Sequence, residues 1–298
     1  MSCVSLIRKQ LESRVLSDLL TLTIDFKITN LRELWMSDTS ILNEDTKTAV
    51  VAQGTMFLYQ KPEYLNRKTH DGLGWTLPQN PYAFAKDVIS IPLVLSEIPS
   101  AQKFYPIIFS ALDDGQPLAV FSVGKGSNLF VDKNGMWASD YYIPAYLRRY
   151  PFATVAGEGD KVAVVIDRAS NGILENSELP FFEGENLSQS TQSMVDLSVR
   201  YEADRKNTQE FMRAVTSLGL LKEQHLAQPA DGESIPLTNF ISIDGSKVEN
   251  LSQNDLEHLN KNGFLPLIYG QLFSQENWGR LIARMTIADD SSSASPVT

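Results

Sequence analysis

The stretch from Tyr105 to Phe152, YPIIFSALDDGQPLAVFSVGKGSNLFVDKNGMWASDYYIPAYLRRYPF, constrains the fold more than any other part of the chain. It holds Trp137, five of the ten tyrosines and four of the fourteen phenylalanines, interleaved with short turn signals. Tyr105 to Phe109 and Leu118 to Val123 read as strands, apolar and rich in β-branched or aromatic residues. Asp113-Asp114-Gly115-Gln116 between them reads as a turn. A third strand is expected over Asn128 to Asp132, and Asn134-Gly135 signals a hairpin before Met136-Trp137. The pattern predicts a small antiparallel meander that leaves through an aromatic and basic segment, Tyr141 to Phe152.

The rest of the chain is long enough to enclose that centre: 298 residues, with 43% hydrophobic and 21% charged, can bury a substantial core and are not the composition of a disordered chain. A net charge of −10 disfavours nucleic acid or an anionic membrane surface as the main partner, because either would meet a repulsive overall field. A single cysteine, Cys3, excludes an internal disulfide and a cysteine-based zinc site. No stretch approaches the roughly 20 apolar residues that span a bilayer. Val15 to Ile28 is broken by Asp18, Asp25 and Lys27, and Leu265 to Phe273 is too short. The amino terminus lacks the basic-then-apolar order of a signal peptide, so the default location is cytoplasmic, with signal-independent export to the cell surface as the exception.

Val4, Ile7, Leu11, Val15 and Leu19 recur at helical spacing, which predicts a helix over Ser5 to Leu20. From Met56 to Pro99 breakers dominate, with extended pieces at Met56 to Gln60, Gly74 to Leu77 and Val88 to Val94, and a short helix over Ser96 to Gln102 capped by Ser96. His70-Asp71 has the composition of a base oriented by a carboxylate, but no nucleophile or metal motif accompanies it, and a histidine bonded to loop backbone is the better account. Gly124-Lys125-Gly126-Ser127 lacks the spacing and the following helix of a phosphate loop and reads as a strand connection. Arg148-Arg149 is different. Adjacent residues face opposite sides, so one arginine is placed to pair with a core-edge carboxylate while the other stacks on an aromatic such as Tyr146 or Trp137; a pocket for an acidic ligand would use the same residue types, and structural pairing is the favoured account.

Lys161 to Asp167 reads as a buried strand. LPFFEGENLSQSTQSM and NFISIDGSKVENLSQNDL then echo one another, each an apolar strand, an acidic-glycine turn and a Leu-Ser-Gln helix start, with Ser188 and Ser252 as N-caps. A long helix follows Ser188, with Met194, Leu197, Tyr201, Thr208, Phe211, Val215 and Leu218 on one face and Gly219 near its end. His225 reads as part of a polar loop and His258 as part of a helix over Gln253 to Lys261, neither with a ligand-spaced neighbour. Leu265 to Phe273 reads as buried, Ser274 as the cap of a last helix over Gln275 to Met285, and residues 289–298 as a disordered tail. The fold class is α+β: an antiparallel β-rich amino-terminal and central part, then strand-turn-helix units.

YPIIFS, NLFVDKNGMW, YYIPAYLRRYPF and, upstream, NRKTH and YAFAKDVISIPLVLSEI resemble the bacterial SapC family of surface-layer-associated proteins, as do FFEGENLS, TNFISIDGSKVENLS and GFLPLIYGQLFS downstream. The resemblance runs from about Thr55 to Met285. It implies a SapC-like domain over residues 55–288, with residues 1–54 either a packing extension or an over-long gene start. It also implies a non-catalytic accessory of surface-layer or surface-protein biology that binds a protein or ligand, with a surface-layer or envelope protein as the expected partner. It carries no catalytic residue, metal or cofactor with it. The residues expected to bind are Trp137, Tyr141, Tyr142, Arg148, Arg149 and His70. The competing reading is an enzyme, or an enzyme partner in amino-acid or peptide modification, using His70 and the Arg148 region. A permease subunit would require spans that the sequence lacks.

Overall fold

The computed structural model describes residues 56–123, 127–156, 162–226 and 239–293, with side chains as far as 287. The expected helix over Ser5 to Leu20, the Gly124–Gly126 loop and the turn before Val162 lie outside these residues, as do the questions raised by residues 1–54.

The architecture is α+β. The main sheet has five antiparallel strands in the order Leu221–His225, Asn239–Ile243, Ile107–Phe109, Pro117–Val120, Ser90–Pro92. A three-stranded sheet orders Pro62–Tyr64, Val162–Asp167 and Phe152–Ala156, and two short ribbons pair Leu73–Trp75 with Ile173–Glu175 and Phe182–Glu183 with Asn186–Leu187. The meander expected from sequence is therefore only half present. Its first two strands pair, setting Ile107 opposite Ala119, but their outer neighbours come from residues 90–92 and 239–243.

The expected third strand does not form. Asn128 competes for the backbone there: its Oδ1 accepts from Phe130 N–H at 2.9 Å and its Nδ2 donates to Ala85 O at 3.1 Å, which folds the chain into a turn. A single bridge, Val131 to Trp137, survives across the Asn134-Gly135 hairpin, where Gly135 takes φ +74°.

The long helix spans Gln189–Ser217 and is capped by the Ser188 hydroxyl, which accepts from Thr191 N–H. It lies across strand Phe152–Ala156 and the turn at Leu95–Glu97. It pins that turn with two side chains: Thr208 accepts from Leu95 N–H and Asp204 from Ser96 N–H. The cap expected from Ser96 is instead supplied by Glu97, whose Oε2 accepts from Val94 N–H at 3.0 Å.

Helix Leu265–Ser274 packs against Ile98–Ala101 and the edge between strands 107–109 and 239–243. Those two strands pair only at Ile241 and Phe109, so neighbouring backbone groups need other partners. Buried Gln271 fills the split: its Nε2 donates to Ile107 O at 2.8 Å and its Oε1 accepts from Ile243 N–H at 3.2 Å. Ser274 accepts from Ile107 N–H, so it lies inside a helix and does not start the next one, which begins at Asn277. Three further readings shift. His225 lies on a strand, Tyr269 and Phe273 of the helix read as buried are exposed, and the last helix continues to Ser293, past the expected tail boundary.

Candidate functional site

Tyr105 stands at the middle of the aromatic centre, fully buried, with Phe130 and Phe121 set edge-on at 4.9 and 5.1 Å. Its hydroxyl accepts from Trp137 Nε1–H at 3.3 Å and donates to the Tyr142 carbonyl. Burial pushes that phenol well above the ordinary tyrosine range, so it stays a neutral donor. Trp137 is thus a core residue, stacked on Phe130 and edge-on to Phe121 and Tyr82.

From Tyr141 onward the chain alternates its attachments. Tyr142 donates its hydroxyl to buried Glu97 at 3.0 Å, and Ala145 N–H meets the same Oε1 at 2.6 Å. Burial raises the Glu97 carboxyl above the usual range, against the pull of the N–H groups of Ala145 and Val94 and the Tyr142 hydroxyl. The Tyr142 phenol is itself pushed up to about 12, by burial first and then by the Glu97 charge. Exposed Arg148 donates to Ile143 O and the Tyr142 hydroxyl, closing an outward chain of Arg148, Tyr142 and Glu97.

Arg149 faces the other way. It is buried between the rings of Tyr201 at 4.1 Å and Tyr146 at 4.6 Å, and donates to Glu202 at 2.9 Å. Glu202 also accepts from Arg205, at 2.7 Å.

His70 belongs to neither group. It is buried on the short helix Arg67–His70, its Nε2 3.2 Å from Glu63 and its Nδ1 beside Asn66 and Thr69. Glu63 in turn pairs with Lys61 at 2.9 Å. Of the residues singled out from sequence, the structure brings Trp137, Tyr141 and Tyr142 around Tyr105, ties Arg148 to Tyr142, and sets Arg149 and His70 in separate clusters.

One face of the centre remains open. A cleft of about 420 Å³ is lined by Lys103, Phe104, Phe130, Asp140, Tyr141, Arg280, Leu281 and Arg284. Its wall is three tilted rings: Tyr141 stands 5.0 Å from Phe130 and 5.5 Å from Phe104. Arg284 is fixed against that wall, its guanidinium 4.8 Å over Phe130 and 5.2 Å over Tyr141, with Nε donating to Leu129 O at 2.8 Å. Arg280 reaches Lys103 O and Asn277 Oδ1 only at 3.5 and 3.4 Å. Among the described residues, none of these three cations forms an ion pair with a carboxylate.

Another hollow, of about 500 Å³, is lined by Gln79, Asn80, Ala83, Lys86, Asp132, Lys133, Asn134 and Gly135. It has no aromatic wall, and its Asp132 carboxylate already accepts from Asn134 and Met136 N–H. Among the described residues no group of three or more His, Cys, Asp or Glu is placed to hold a metal ion, and no helix is long and apolar enough to cross a membrane.

Sequence reasoning named Tyr141 as a binding residue but did not single out Lys103, Phe104, Arg280 or Arg284, which line the cleft with it. A readable signal existed for two of them: Arg280 and Arg284 are one helical turn apart. The fold and site define an α+β protein with a cationic, aromatic-walled cleft beside an inward-bonded aromatic centre. The chain belongs to the SapC family, whose family model matches residues 65–281. Neither the curated proteins nor the solved structures contain a match to it.

Proposed function

We propose that this SapC-family protein is a non-catalytic accessory of bacterial surface-layer or surface-protein biology, acting by binding, and that the Lys103–Arg280–Arg284 cleft is where it binds. One observation carries the reading: in the cleft, cationic groups without a carboxylate partner among the described residues stand against a fixed aromatic wall. That is the composition of a recognition surface. The aromatic centre behind it serves as the frame. Trp137 and His70 are buried and spend their polar groups on neighbouring protein atoms, and buried Arg149 gives one Nη to Glu202 while its Nε has no partner among the described residues. The enzyme reading joined His70 to Arg148, and the two side chains bond within separate clusters.

The test is affinity capture from the native bacterium with the full chain as bait, beside a Lys103→Gln/Arg280→Gln variant, followed by mass spectrometry. Envelope or surface-layer proteins enriched by the wild type and lost with the variant are the expected result. Recovery of soluble metabolic enzymes alone would replace this reading with that of an enzyme partner.

A further inference from the structure

We infer that the cleft takes a monoanion, a single carboxylate carried on a flat apolar body, an inference that rests on the cleft being the binding site. The Arg284 side chain is prepared for it. With Nε spent on Leu129 O and the guanidinium plane held over Phe130 and Tyr141, the Nη groups remain as a fork of the kind that grips a carboxylate with two parallel hydrogen bonds. Arg280, one turn earlier on the same helix, places a second positive charge beside the first. Such like-charged neighbours repel, and a bound anion relieves the repulsion. Lys103 also lines the cleft, and its carbonyl meets Arg280.

The body of the ligand is set by the wall. Phe104 and Tyr141, half-buried and tilted 52° to one another, are the rings a flat ligand ring would meet, with Phe130 buried behind Tyr141 and Leu281 buried on the lining. The volume, about 420 Å³, lies in the range of small-ligand clefts. Asp140 sets the charge. It is an exposed carboxylate on the lining, held at φ +66°, and it opposes a second negative charge on the ligand. Compact dianions such as inorganic phosphate are therefore disfavoured, and they also lack an apolar body for the rings.

The same chemistry occurs in a free aromatic acid and at the carboxyl end of a peptide finishing in an aromatic residue, and the experiment separates them. Titration calorimetry on the full chain would use phenylacetate, phenylacetamide and inorganic phosphate, together with N-acetyl-Gly-Phe with a free or an amidated terminus. Phenylacetate or the free-terminus peptide is expected to bind at least about tenfold more tightly than its amide, as loss of a charge-assisted hydrogen bond requires. Phosphate should bind more weakly still. The Lys103→Gln/Arg280→Gln variant, altered at two exposed side chains and so expected to fold, should lose a similar factor. Binding of the peptide alone places the carboxylate on a chain terminus, and binding of phenylacetate places it on a free acid.

Equal affinity for acid and amide, wild-type affinity in the variant, or no binding by any probe would overturn the inference. Those outcomes with envelope capture intact remove only the ligand class. Carboxylate binding without envelope capture removes the surface-protein reading and leaves the ligand class standing.

Discussion

Replacing Glu97 tests whether the aromatic centre is the rigid frame described above. Its carboxylate accepts from Val94 N–H at 3.0 Å, Ala145 N–H at 2.6 Å and the Tyr142 hydroxyl at 3.0 Å. Val94 and Ala145 are themselves buried, so in Glu97→Ala two backbone donors lose their acceptor where little water reaches them. Each such orphan costs about 1–3 kcal/mol. The Tyr142 hydroxyl is only half-buried and can turn to solvent, and removing a buried carboxyl returns part of its desolvation penalty. The net loss expected for Glu97→Ala is about 3–5 kcal/mol. Glu97→Gln is milder. Its amide oxygen can keep the bonds to Ala145 and Tyr142, but its NH₂ then faces the Val94 N–H, donor against donor, for a loss of about 1–3 kcal/mol. Urea unfolding followed by tryptophan fluorescence at a fixed pH reads both differences, provided the dependence on denaturant keeps its slope. A loss below about 1 kcal/mol for Glu97→Ala, or a greater loss for glutamine than for alanine, would refute the reasoning.

Two carboxyls should give stability opposite pH dependences. Burial raises Glu97, so its contribution is fully present below the ordinary carboxyl range, near pH ~4.3, and is lost as pH rises through its elevated folded value; in Glu97→Gln that decline should vanish from denaturation curves taken across pH. Burial also acts upward on Glu63, but hydrogen bonds from Lys61 and His70 outweigh it and hold the carboxyl below the usual range. Its contribution is therefore present above the ordinary range and lost as pH falls through the folded value, and Glu63→Gln should flatten the acid limb of the stability curve. Arg149→Lys keeps the charge but not the flat group lying on Tyr146 and Tyr201, and should cost about 1–3 kcal/mol in thermal or urea unfolding; wild-type stability would show that the stacking contributes nothing.

Features set by neighbours in the chain were legible in the sequence. The Ser188 cap, the Gly219 exit at φ +63° and the Ser252 cap, which accepts from Asp255 N–H, all follow from local hydrogen bonding and backbone freedom. The opposite facing of Arg148 and Arg149 followed from adjacency alone. What the sequence hid depends on distant partners. Asn128 to Asp132 has strand composition, yet Asn128 bonds across to Ala85 and its own turn. Ser274 looks like a cap until the unpaired amide of Ile107 claims it. The cleft joins Lys103 to Arg280 across 177 positions, a distance that no spacing argument reaches.

The locked centre and the open cleft share one segment, and this links the frame to the proposed binding role. Tyr141 is the cleft wall, and the next residues are fastened from behind: the Tyr142 carbonyl to Tyr105, the Tyr142 hydroxyl and Ala145 N–H to Glu97, and Arg149 to the long helix. A wall held at that many points gives up little conformational freedom when a ligand arrives, so more of the contact energy appears as affinity. The side-chain hydrogen bonds of Glu97 go to Val94, Tyr142 and Ala145, none of them on the cleft lining, yet loosening it frees the segment that carries Tyr141. On the proposed binding role, the buried polar residues would act at the cleft indirectly, by holding the Tyr141 ring and the Arg284 guanidinium over it in one arrangement.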